Sequence, residues 1–137
     1  MKAIIKQIKG CSFIGKSGSN HWVAIDTPKE TCGSDAACTP MELVLIALGS
    51  CSAADVVSIL DKKKVFLKGF EINIDAEQAK DYPKVFTKIK LEYVFYGKNI
   101  DPKHVERAIE LSLDKYCSVS AMLKSSASIT TSIKIIG

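Results

Sequence analysis

Thr39-Pro40-Met41-Glu42-Leu43-Val44-Leu45-Ile46-Ala47-Leu48-Gly49-Ser50-Cys51-Ser52-Ala53-Ala54-Asp55 is the stretch on which the reading of the fold turns. Thr39 is placed to cap the free amides of a first helical turn, Pro40 suits the first helical position, and Glu42 completes a capping box. The pattern predicts a helix from there to about Lys63. Nearly every turn is apolar or small, so the helix is expected to be buried on most sides. A chain of 137 residues has little material with which to surround it, which predicts a dimer whose second copy covers part of the helix. The run Leu43–Leu60 is 18 residues long, but Gly49, Ser50, Ser52, Asp55 and Ser58 interrupt it. A carboxylate in mid-span is costly in lipid, so the helix reads as the core of a soluble protein, with no membrane partner.

Short strands are expected before it: Lys2–Lys9 alternates charge and hydrophobe, Cys11–Gly15 is short, and His21–Asp26 carries Trp22, Val23 and Ile25. Gly15–Asn20 is a turn-rich connector and Lys29–Ala37 a loop by composition. After the helix, Phe70–Ala76 and Val85–Tyr96 alternate and flank Lys80-Asp81-Tyr82-Pro83, as in an antiparallel hairpin. Asp101-Pro102 starts a second helix to about Tyr116. Cys117 sits at its end or at a break into a short helical piece, Ser118–Lys124, and Ile129–Ile136 is a last strand. The order βββ-α-ββ-α-β, with antiparallel runs interrupted by helices, is α+β. No repeat or linker divides the chain, and residues 1–137 read as a single domain.

Nineteen basic and fifteen acidic side chains leave +4, but eighteen of the nineteen are lysines and Arg107 is the only arginine. Base and phosphate readers favour arginine's fixed fork, and Lys62-Lys63-Lys64 has no aromatic interleaving, so no nucleic-acid partner is expected. The alternation from Met1 to Lys6 lacks the apolar core of a secretory signal. Five cysteines in that context point to a reducing, cytoplasmic setting, where thiols are catalytic or inert rather than bridged.

Four residues are candidates for chemistry. Cys51 lies mid-helix beside Gly49, a poor helix former whose presence suggests a close approach to the backbone. Asp55, four residues on, shares its face, and Ser58 is nearby. Cys117 closes the second helix ahead of a serine-rich stretch. His21 begins a strand after a flexible segment, from which an imidazole reaches a neighbouring element; a cation beside a thiol favours the thiolate. Each has a plainer reading, as a packed small thiol, a locally bonded carboxylate or a surface histidine. His104 has no such context. Cys32 and Cys38, with five residues between them in a polar loop, invite a zinc reading, but no second pair completes four ligands and no metal is expected. Cys11, in a strand, reads as packing. No Gly-rich phosphate loop or G-x-S-x-G is present, and no cofactor is expected.

The run Thr39–Cys51, with eleven residues from Pro40 to Cys51, followed by Tyr116-Cys117-Ser118-Val119, resembles the OsmC/Ohr family of osmotically inducible and organic-hydroperoxide-resistance proteins. The element order matches over essentially the whole chain. The resemblance implies an intertwined homodimer with two sites at the interface, each built from both chains. It implies a thiol-dependent peroxidase in which Cys51 attacks an organic hydroperoxide and becomes a sulfenic acid. Cys117 then resolves it to a disulfide, and a dithiol reductant, a lipoylated protein in some members, resets the pair.

Two departures stand out. Family peroxidases hold the thiolate with an arginine from the N-terminal strands, and Lys2–Asp26 contains none. They also carry a glutamate directly after the proline, where this chain has Met41. Ile14–His21 and Cys51–Leu60 are similar to the YhfA-type branch, where His21 or Lys16 is expected to replace the arginine and Asp55 to orient it. Two other readings keep the fold: cysteine chemistry of another kind, such as a persulfide carrier or electrophile binder, and a non-catalytic dimer holding an apolar ligand.

Overall fold

Thr39 and Glu42 form the reciprocal cap that their spacing predicts. The Glu42 amide donates to Thr39 Oγ1 at 3.3 Å, and the Thr39 amide donates to Glu42 Oε2 at 3.1 Å. The helix so started, α1, runs Pro40–Lys62. The computed structural model describes all residues from Met1 to Gly137 and divides into two compact units, Met1–Ile46 and Ala47–Gly137, with the boundary inside α1.

The first unit holds an antiparallel sheet of β1 (Ala3–Lys9), β2 (Ser12–Ser17) and β3 (Val23–Ile25), in that order. Ile5 pairs with Gly15 and Phe13 with Ile25. β2 runs through Ser17, two residues beyond the point where composition suggested a turn. The loop after β3 is organised by the Asp26 carboxylate. It accepts from Ser12 Oγ (2.8 Å) and from the amides of Thr27 (2.8 Å), Ser34 (3.1 Å) and Ala36 (3.1 Å). The same loop is tied to the β1–β2 turn by a disulfide between Cys11 and Cys32, with Cα atoms 5.3 Å apart. This corrects the reading of Cys11 as packing and of the cysteines as unbridged. The Cys11 amide donates to the Cys32 carbonyl at 3.1 Å, so tertiary contact between segments 21 residues apart, which no local pattern reveals, brings the sulfurs together.

In the second unit β4 (Gly69–Gln78), β5 (Phe86–Tyr96) and β6 (Ser128–Ile136) form the other sheet, with β5 central. β4 and β5 are the expected antiparallel hairpin. β6 instead runs parallel to β5, with Leu91 opposite Thr131. The antiparallel expectation fails here because α2 (Pro102–Leu111), a π-helical turn (Ser112–Tyr116) and α3 (Ser118–Leu123) carry the chain back across before it pairs, as a parallel connection requires. The core gathers Leu48, Val56 and Leu60 from α1, Ile89, Leu91, Tyr93 and Phe95 from β5, and Val105 and Ala108 from α2.

Within α1, Leu48, Ser52, Val56 and Leu60 recur every fourth residue as one buried stripe. Burial on most sides is not reached within a single chain: Ile46 keeps 52% and Val57 44% of their surface. A Cβ at Gly49 would stand 2.7 Å from Ile74 Cδ1, so β4 closes over the helix backbone there, which is the approach that the glycine suggested.

Candidate functional site

α1 is long and apolar enough to cross a membrane, yet two of its polar residues, Ser52 and Asp55, turn inward onto partners. Ser52, fully buried, lies 2.7 Å from the hydroxyl of Tyr93, itself fully buried on β5. Ser112 Oγ is 3.0 Å from Ser52 Oγ and 2.9 Å from Asp55 Oδ2. A serine in the middle of an apolar helix has to find such partners or lose the free energy of an unmade hydrogen bond.

Cys51 and Asp55 stand one turn apart on α1, and Cys51 and Cys117 are free thiols near enough to influence one another. The π-helical turn sets this up. Its wide ring is closed by the Cys117 amide donating to the Ser112 carbonyl at 2.7 Å, which places Ser112 Oγ on Asp55 and delivers Cys117 to the start of α3. Single π turns of this kind recur at functional sites. Cys117 caps α3, its sulfur accepting from the Ser120 amide at 3.4 Å. Burial pushes the Cys117 thiol up, and the adjacent Cys51 adds to that, against the opposing hydrogen bond from Ser120. Burial likewise pushes the Tyr93 phenol up to about 12. The surroundings of Cys117 therefore favour the protonated form of its thiol.

Asp55 is half-buried and also lines a cleft of about 150 Å³ with Ser58, Ile59, Lys62 and Tyr116, so the cluster has a dry end at Tyr93 and a wet end at Asp55. Of the residues singled out in the sequence, Cys51, Asp55 and Cys117 meet in this second unit. His21 and Lys16 belong to the first. His21 is exposed and precedes β3 rather than opening it, and Lys16 Nζ donates to Asn20 Oδ1 at 2.9 Å and stands 4.8 Å from the centre of the Trp22 ring. Ser52, Tyr93 and Ser112 were missed by sequence reasoning. The one available signal was a polar atom at an inward position of an apolar element. Cys32 pairs with Cys11 rather than with Cys38, which is free.

A family model described as OsmC-like protein matches residues 33–132. Protein YhfA of Escherichia coli (strain K12) is 38% identical over 136 residues, which cover 99% of this chain and 98% of that protein. Among solved structures, a hypothetical protein from Aquifex aeolicus VF5 is 31% identical with a TM-score of 0.83, covering 99% of this chain and 97% of that one. A Legionella pneumophila structure described as an organic hydroperoxide resistance protein OsmC has a TM-score of 0.72 at 14% identity, covering 98% and 97%, and shares the fold. With two thiols meeting beside the long helix and a match spanning most of its length, the chain belongs to the OsmC-like protein family.

Proposed function

We propose that the protein is a thiol-dependent peroxidase that reduces organic hydroperoxides through Cys51. Membership of the OsmC-like family supports a redox or peroxide-stress role. The single observation that carries the finer reading is the meeting of Cys51 and Cys117 as free thiols in half-buried to buried surroundings. The Cys51 thiolate attacks the terminal peroxide oxygen, the O–O bond breaks, and the alkoxide leaves and takes up a proton as the alcohol. The sulfenic acid left on Cys51 is attacked by Cys117, the Cys117 proton departs with the hydroxyl as water, and a disulfide forms. A dithiol reductant, such as a lipoylated protein, then supplies two electrons and two protons. The high proton affinity of Cys117 suits a thiol that waits until the sulfenic acid has formed. The positive charge that the resemblance assigns to an arginine falls to His21 or Lys16, with Asp55 tuning the thiolate. The site acts in a homodimer: β1 exposes Ile4, Ile5 and Ile8, and α1 exposes Ile46 and Val57, apolar surface that a second copy is suited to cover.

Cys51→Ser is expected to abolish consumption of an alkyl hydroperoxide with a dithiol donor, and Cys117→Ser to stall after one turnover. Undiminished multi-turnover activity in Cys51→Ser would remove this function. The lack of any arginine in Lys2–Asp26 favours one other reading, sulfur carriage as a persulfide. An adduct of about 32 Da on Cys51 of the purified protein that a dithiol reductant removes, unlike a sulfinic acid of the same added mass, marks that chemistry, whereas a Cys51–Cys117 disulfide after peroxide marks the first.

A further inference from the structure

The contacts Tyr93–Ser52, Ser52–Ser112 and Ser112–Asp55 measure 2.7, 3.0 and 2.9 Å. Each hydroxyl has one proton, and an ionised carboxylate only accepts. Ser112 Oγ donates to Asp55 Oδ2 and is also directed at Ser52 Oγ, while the Ser52–Tyr93 contact can run either way. Ser52, Tyr93 and Ser112 are fully buried, so these hydroxyls polarise one another beside a single carboxylate.

That carboxylate stands one helical turn from Cys51. An unpaired negative charge there would oppose ionisation of the thiol. We propose that Ser112 is a positioning residue whose hydrogen bond anchors Asp55, so that the carboxylate does not swing toward Cys51 and repel the thiolate. The proposal rests on Cys51 reacting as a thiolate, as in the function above. The titratable or charged groups beside Asp55 are Lys62 on α1 and Tyr116 at the end of the π-helical turn, which share its cleft, and Tyr93 on β5, which feels its charge; Cys51 stands one turn away on α1. Of these only Lys62, in the open cleft, carries a positive charge, and Ser112 is the buried donor.

The test is the pH dependence of Cys51 alkylation by iodoacetamide, read at that residue by mass spectrometry, which needs no peroxide. Ser112→Ala is expected to raise the midpoint by about one unit, a tenfold loss of rate at any pH below it. Ser112→Thr, which keeps the hydroxyl, leaves the midpoint in place. In an Asp55→Asn background Ser112→Ala no longer matters, a rescue that a merely structural role would not show. Should Ser112→Ala fail to fold, Ser112→Cys, close in size but a weak donor, moves the midpoint in the same direction by less. An unchanged midpoint in the folded variant, or a rise that Asp55→Asn does not cancel, overturns the proposal. A wild-type protein inert to hydroperoxides but showing these shifts would sink the peroxidase function and leave the role of Ser112 standing.

Discussion

Asp26 shows how much one buried carboxylate can organise. The Thr27 amide beside it, helped by Ser12, Ser34 and Ala36 and opposed by its own burial, holds its pKa down at about 2. That lies below the ordinary value of about 3.9 for an unfolded chain, so the stabilisation is complete above that value and fades as the pH falls toward 2. Asp26→Asn is expected to lower Tm by a constant amount near neutral pH, with the gap from wild type closing in that acid window. Thermal melts across pH check it. The cysteines make a second prediction at this scale. Thiol titration of the denatured, unreduced protein should count the three free sulfurs of Cys38, Cys51 and Cys117, and reduction should add Cys11 and Cys32. Three residues of the candidate site, Cys51, Asp55 and Cys117, were legible because their types and their places near helix features are local facts. Ser112 and Tyr93 were not, because a serine or tyrosine announces a role only through what it touches.

α1 is the element most fully written in the sequence. Its cap, its start at Pro40 and the close approach at Gly49 all follow from spacing and residue type, and all are present. Its buried stripe carries the energetics: Leu48 is fully enclosed, and Leu48→Ala should cost about 2–5 kcal/mol through lost transfer energy and the cavity left behind. Urea unfolding, with a lower midpoint and an unchanged slope, measures it. The second helix was read as continuous to about Tyr116, but it ends at Leu111 in favour of the π turn. Nothing in the composition of Ser112–Tyr116 selects a wide turn over a regular one. The buried contacts of Ser112 with Ser52 and Asp55 favour it.

For the whole molecule, the proposed homodimer predicts sedimentation at twice the 14.9 kDa of one chain. Val57→Lys, which places a charge on an open face of α1, is expected to yield a folded protein of single-chain mass. A dimer that survives it would place the second copy elsewhere. The mixed α+β class, the order of elements and the long apolar helix were settled by the amino-acid sequence alone, because caps, alternation and helical periodicity are short-range properties of the chain. The parallel return of β6, the Cys11–Cys32 bridge and the contact of Ser112 with Asp55 were decided only in the folded molecule. Each depends on groups far apart in sequence being brought within bonding distance, and no local pattern encodes that distance.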